Sequence, residues 1–306
     1  MNMNQEIRQN IMPMINNSDV LPLYNWMKDK KLIASTMKCE ICKNLMKWEP
    51  YSKAKDKYTW KCDNNKCKKF KSRITIRRDS FFFNSKLALC TWIHAIILWS
   101  RGLSQKHVCE TLGVSNHTMV DVFNFFRQIC KRYFDQHPIK LGGEQRIIQI
   151  DESCFSSKPK YHRGRSPNPI WVFGMVDCST RPALGYMEIV AKRDAKTLLK
   201  IIKKVAKPGS IIHSDQWRAY TNIERELGFE HRTVNHKLNF IDKISGVHTQ
   251  TIESYWNKSK QMIKKMNGCR REHLENYLWE MMWRERHTND TFNNFLEAIQ
   301  QQYIFV

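Results

Sequence analysis

The chain has 306 residues, enough for one large domain or two to three smaller ones, and sets 51 Lys and Arg against 29 Asp and Glu for a formal net charge of +22. That excess points to a polyanionic partner, because neutralising phosphates releases counterions; a merely soluble basic protein is the competing account. The longest apolar stretch, Leu87 to Trp99, is broken by His94, follows Lys86, and is too short to span a bilayer, so no membrane role is expected.

The Asn- and Met-rich start, Met1 to Asp19, reads as a frayed segment, followed by a short amphipathic piece around Leu21 to Ile33. From Lys38 to Arg78 fourteen basic residues face four acidic ones, a local net charge of +10. Within this stretch, Cys39-x2-Cys42 and Cys62-x4-Cys67 stand nineteen residues apart, a spacing that suits four thiolates on a structural Zn²⁺. Trp48, Tyr58 and Trp60 lie between the pairs and are expected to pack on a small β-ribbon. In a unit of this size, metal binding would supply much of the folding energy. The other six cysteines are scattered, and no signal-peptide pattern opens the chain, so free thiols in a reducing compartment are expected.

A helical block follows from Lys86 to Phe134 and closes at His137-Pro138 and Gly142-Gly143. Inside it, Gly102 to Val120 reads as helix, turn, helix, with Ser104 and Ser115 as caps and Gly113 in the turn. Leu103, Val108, Leu112, Val114, Val120 and Phe123 are its expected core. Asn116, His117 and Thr118 would open a recognition helix, where base edges are read. A plain helical hairpin is the alternative.

The pattern then changes to strands. Ile147 to Ile150 predicts a buried strand ending at Asp151, and Ile170 to Val176 and Ala183 to Val190 predict two more. Asp194 caps a helix carrying Leu198, Leu199, Ile202 and Val205; Ser210 to His213 is a further strand leading to Asp215. A long helix begins near Thr249, with Ile252, Tyr255, Trp256, Ile263 and Met266 on one face. The order β-β-β-α-β-α-(β)-α suits a ribonuclease-H-like α/β core. The fold expected is therefore α/β: that core, preceded by a zinc ribbon and a helix-turn-helix-like block. Boundaries fall at an N-terminal extension (1–36), zinc ribbon (37–78), helical block (79–140), catalytic domain (141–290) and C-terminal tail (291–306).

Three acids are placed for chemistry. Asp151 and Asp215 would lie side by side if their strands are neighbours, and Glu253 would reach in from the late helix. Such carboxylates suit hard Mg²⁺ ions held as a pair for phosphoryl transfer. Each has a plainer reading as strand end, helix cap or dipole partner. Glu152, Asp177, Glu188 and Asp242 compete less well. Asn257, Lys260 and Lys264 follow Glu253 at helical spacing, and Lys158 to Arg165 forms a basic loop in which Lys160, Arg163 and Arg165 would grip phosphates. Solvated surface charge is the alternative for both groups. His213, His236 and His248 would position DNA or water, or simply pack.

These islands, with Trp171-Val172-Phe173-Gly174, Asn235-His236, and His248 to Glu253, resemble the Merlin superfamily of DDE transposases and their bacterial insertion-sequence relatives. The resemblance runs from about Met37 to His287 and takes in the four cysteines, Ser80-Phe81-Phe82, Gly142-Gly143 and Trp283-Arg284. It implies Asp151, Asp215 and Glu253 as catalytic acids, two Mg²⁺ (or Mn²⁺) ions with Asp151 bridging them, and structural Zn²⁺. It further implies hydrolysis at element ends, strand transfer by the freed 3′-OH, double-stranded DNA with terminal inverted repeats and a target as partners, and a homodimer or larger assembly on DNA. The expected compartment is the nucleus in a eukaryote and otherwise the cytoplasm. Two rivals remain at this level, a domesticated DNA-binding protein without catalysis and a ribonuclease-H-like nuclease.

Overall fold

A computed structural model describes residues 3–155, 169–235, 246–266 and 268–305. They form two units, Met1–Phe125 with Asn289–Val306, and Phe126–Thr288.

The first unit begins with helix, not with a frayed end. Helix α1 (Met3–Glu6), a π-helical turn (Ile7–Ile11) and α2 (Met12–Ile15) run on, with Ile7 and Ile11 fully buried. The polar composition hid this i, i+4 apolar pair. The π turn closes from the Met12 amide to the Ile7 carbonyl just before Pro13, whose missing N–H suits a first turn. Helix α3 (Leu21–Asp29) buries Leu23, Tyr24 and Met27.

Strands β1 (Lys47–Pro50), β2 (Tyr58–Lys61) and β3 (Arg73–Thr75) make an antiparallel sheet in that order. Trp48 faces Trp60 across the sheet and stacks on Tyr58 at 5.4 Å, so the three aromatics do form its apolar side. The buried Arg77 guanidinium meets Asp56 in two bonds of 2.6 and 2.8 Å and also donates to the Ser85 and Leu87 carbonyls. A buried pair satisfied this fully is tolerated, and losing either partner would strand a charge.

Helices α4 (Leu89–Ser100), α5 (Gln105–Leu112) and α6 (Asn116–Gln136) follow. Ser104 accepts from the His107 amide, Gly113 turns at φ 62°, and Ser115 accepts from the Thr118 amide, all as the sequence indicates. The expected core is one residue out of phase: Val120 is exposed, and Met119 and Val122 are buried with Val108 and Phe123. At the far end of the chain, residues 291–302 are no tail. Helix α11 (Thr291–Gln302), capped by Asp290, buries Phe292, Phe295, Leu296 and Ile299, and Phe295 lies 4.4 Å from Trp99 of α4.

The second unit is built on β4 (Ile147–Cys154), β5 (Trp171–Asp177), β6 (Leu184–Val190), β7 (Ile211–Asp215) and β8 (Glu230–Val234). Their order is β6-β5-β4-β7-β8, with the first three antiparallel and β7 and β8 parallel to β4. This mixed five-stranded sheet is the ribonuclease-H-like arrangement. Helix α7 (Ala195–Val205) precedes β7, and α8 (Ile223–Leu227) makes the crossover from β7 to β8 that a parallel pair requires. The Asp194 cap accepts from the Thr197 amide at 2.9 Å, and Leu198, Leu199, Ile202 and Val205 are buried as expected. Helices α9 (Gln250–Lys265) and α10 (Leu274–Arg286) complete the unit. Along α9 the buried face ends at Ser259; Ile263 is half-buried and Met266 exposed, contrary to the periodic reading. No helix among the described residues is long and apolar enough to cross a membrane.

Candidate active site and metal centres

Strand β4 runs on past Asp151 to Cys154, because β5 pairs with it as far as Trp171. Asp151 is therefore a mid-strand residue and not a strand end. In the parallel pairing of β4 with β7, Gln149 lies opposite His213, and Asp151 and Asp215 each follow two residues later on their strands. Side chains two apart point to the same face, so the register brings these two acids side by side. Glu253 sits in the first turn of α9, and with Asp151, Asp215, Ile150 and Thr249 it lines a cavity of about 190 Å³.

What holds α9 there is long-range. Its N-cap residue, Thr249, makes no side-chain cap; its hydroxyl turns to the Glu253 carboxylate at 3.3 Å. The cap comes instead from Gln149 of β4, whose Oε1 accepts from the Thr251 and Ile252 amides at 2.9 and 3.1 Å. Gln149 is 1 % exposed, and its amide nitrogen lies 3.2 Å from His248 Nδ1. The helix lies unusually close to the sheet. A Cβ on Gly174 of β5 would collide with the Trp256 ring, and one on Gly185 of β6 with Tyr255. From that position Trp256 Nε1 donates to Asp151 Oδ2 at 3.0 Å, while the Trp217 amide donates to Asp215 Oδ1 at 3.0 Å.

The electrostatics are those of crowded anions. Burial pushes the Asp151 carboxyl up to about 6; the Glu152 amide and Trp256 oppose this, and Asp215 and Glu253 add to it. Glu152, turned the other way by strand alternation, is driven by burial up to about 8 and accepts from the Tyr220 hydroxyl. A buried carboxylate repelled by two others is a site that a cation stabilises. Three oxygen-donor side chains are also the ligands that Mg²⁺ or Mn²⁺ prefers, so the residues fit a divalent ion. His213 is 4 % exposed, and burial, then Arg232 and His248, pull it down to about 4. A neutral, packed histidine is what this describes.

The competing acids have structural work. Asp177 accepts from the Gly142 amide and from both the amide and hydroxyl of Ser179. Glu188 is engaged by Tyr186 and Lys204. Asp242 and His236 lie outside the described residues, as do Lys160, Arg163 and Arg165. Asn257, Lys260 and Lys264 are exposed on α9, and the Lys260 ammonium stands 5.6 Å from the Phe155 ring. In the first unit, Asn116 and His117 are exposed at the start of α6 and Thr118 is half-buried, with His117 Nδ1 3.6 Å from Asp121. Gln149 and Tyr220 drew no attention in the sequence, and Trp256 was expected only as part of the apolar face of the late helix. Only the -Trp-Val-Phe-Gly- run hinted that a glycine mattered in β5.

Also in the first unit, the sulfurs of Cys39, Cys42, Cys62 and Cys67 all lie within 4.8 Å of one another. Cys39 and Cys67 are 3.8 Å apart, and Cys42 and Cys62 3.9 Å. Four thiolates at about 2.3 Å around tetrahedral Zn²⁺ are separated by roughly 3.8 Å, so the cluster matches that ion. The Cys42 and Ile41 amides bring Cys39 down to about 6, while Cys62 is pushed up to about 12 by burial and its thiol neighbours against the Asn64 amide. The three acids of the second unit form no such tight group: among the described residues, only these cysteines bring three or more candidate ligand atoms that close together.

Comparison with known proteins finds a transposase domain in this part of the chain. Residues 140–286 match the ISXO2-like transposase domain of the IS1595 family. An uncharacterized transposase-like protein of Haemophilus influenzae is 34% identical over 99 residues, which cover 32% of this chain and 78% of that protein. Among solved structures, the Mos1 transposase paired-end complex with left transposon end matches at 12% identity and TM-score 0.28, covering 68% of this chain and 77% of that one. A simian T-cell lymphotropic virus intasome, in complex with the PP2A regulatory subunit B56 gamma, matches at 15% identity and TM-score 0.32, over 60% of this chain and 66% of that chain. At such scores the structural likeness adds nothing to the strand order already described. The 34% identity with a relative covered to 78% of its length, together with the domain match over residues 140–286, shows the family: the chain belongs to the ISXO2-like transposase family.

Proposed function

We propose that this chain is a DDE transposase that cuts DNA at the ends of its element and joins the freed 3′-OH to target DNA. The observation that carries this reading is that Asp151, Asp215 and Glu253, from three separate elements, line one cavity at the end of the sheet. Under this reading they would hold two Mg²⁺ (or Mn²⁺) ions, which would acidify a water and stabilise the attacking and leaving oxygens.

The protein's own residues have defined tasks. Trp256 orients Asp151, the Trp217 amide orients Asp215, and Thr249 steadies Glu253. Gln149 sets the depth at which α9 presents Glu253. Asn257, Lys260 and Lys264 extend from the acid along α9 where a DNA strand would run, and Lys160, Arg163 and Arg165, in the sequence after β4, grip phosphates. Asn116, His117 and Thr118 read or position duplex DNA from the first unit, next to a ribbon built on zinc. Two ends must be held together, so the working form is at least a homodimer on DNA.

The test is Mg²⁺-dependent nicking and strand transfer on a duplex taken from the DNA bordering the gene. Wild type is expected to do both and Asp151→Asn neither. Cleavage that survives Asp151→Asn, Asp215→Asn and Glu253→Gln alike would overturn the assignment.

A further inference from the structure

One cation, Arg193, stands beside Trp217, whose amide holds Asp215. Arg193 lies between β6 and α7, and its guanidinium carbon sits 3.5 Å from the centre of the Trp171 ring and 5.2 Å from that of Trp217. Trp171 opens β5, where it pairs with Cys154 at the end of β4 and Val190 at the end of β6. Trp217 follows Asp215 by two residues and is tied to it by its amide. The Tyr220 ring meets Trp217 edge-on at 5.8 Å and carries the hydroxyl that donates to Glu152. Arg193 is thus fixed to the sheet end that bears the acids, on the face opposite Gly174 and α9, because Trp171 and Gly174 have opposite parity along β5.

Indoles engage a guanidinium through its flat face, which leaves the in-plane N–H fork directed away from the rings. Among the described residues Arg193 has no ion-pair contact within 4 Å and no hydrogen bond, and its charge acts at longer range on the Glu152 carboxyl. A fork pre-set in this way matches a phosphate oxygen pair. A cation there would also offset the repulsion between the three carboxylates and a DNA backbone when no metal is bound. Lys260, 5.6 Å from Phe155, supplies a cation on the α9 side; nothing described so far supplies one on the other.

We propose that Arg193, clamped by Trp171 and Trp217, is a binding site for one phosphodiester of the DNA strand that enters the acidic cavity. The assignment rests on the transposase reading above and adds a contact to it. Arg193 positions the strand and takes no part in bond breaking.

The test is binding, not turnover. A fluorescent duplex from the DNA bordering the gene is titrated with Arg193→Ala, Arg193→Lys and wild-type protein in chelator, across a range of salt concentrations. Loss of one phosphate contact is expected to make the log–log salt dependence shallower by about 1 and to weaken binding roughly 10- to 100-fold at low salt. Arg193→Lys keeps the charge and is expected to keep the slope while losing part of the affinity. An Arg193→Ala protein with unchanged slope and affinity overturns the proposal. So does an Arg193→Lys protein that loses as much slope as Arg193→Ala, since packing against the indoles, and not charge, would then be at work. Neither result bears on whether Asp151→Asn abolishes nicking, so the two readings fail separately.

Discussion

Replacing Gln149 with Met tests how the site is assembled. The substitution keeps length and bulk but removes the oxygen that accepts from the Thr251 and Ile252 amides at 2.9 and 3.1 Å. Ile252 is fully buried and Thr251 half-buried, so the Ile252 amide gains no water in exchange and the Thr251 amide gains some. An orphaned buried donor costs about 1–3 kcal/mol, which puts the pair at roughly 2–4 kcal/mol. In a unit of this size that is a fall in melting temperature of about 5–15 °C. Thr249 offers no replacement cap, so the first turn of α9 is expected to fray, and Glu253 is in that turn. Urea unfolding followed by tryptophan fluorescence reads the stability, and Mn²⁺ titration by calorimetry reads the site; an affinity loss of at least tenfold is expected. A variant within about 0.5 kcal/mol of wild type, with unchanged Mn²⁺ binding, would refute the idea that this side chain seats the helix.

Three further outcomes are expected. Asp151→Asn should stabilise the metal-free protein at neutral pH while removing its metal binding. The folded carboxyl titrates near 6 against an ordinary value of 3.8, so the unfolded chain ionises first. The destabilisation is then absent below that ordinary value, grows as pH rises towards 6, and levels off above it at no more than about 3 kcal/mol. Equal stabilities of the two proteins across that range would contradict the burial described. Gly174→Ala drives a methyl group into the Trp256 ring, and a loss of about 1–3 kcal/mol with weakened Mn²⁺ binding is expected from denaturation and calorimetry. Elemental analysis should find one zinc per chain, and chelation should open residues 37–78 to protease; zinc-free protein with the same digestion pattern would remove the ribbon's metal.

The local signals in the sequence read well because they act over a few residues. Ser104, Gly113, Ser115 and Asp194 each do in the structure what their side chains do at any helix end. The strands followed, in chain order, from short apolar runs, and the placing of Asp151 beside Asp215 needed only that their strands be parallel neighbours. What stayed hidden depends on partners a hundred residues away. Gln149 in an apolar strand looks like a lone polar intrusion until α9 is laid across it, and Gly174 looks incidental until Trp256 arrives. The phase error at Val120 arose because one helical turn offers Met119, Val120, Val122 and Phe123 together, and only packing chooses among them. Ile7 and Ile11 were lost in a polar composition although two residues suffice to seat a short helix.

The most direct measurement is diffraction from crystals grown with Mn²⁺, using its anomalous signal. Two peaks about 4 Å apart, held by Asp151, Asp215 and Glu253, are expected. Peaks only elsewhere, or an acidic cavity that stays free of manganese at saturating concentration, would contradict this.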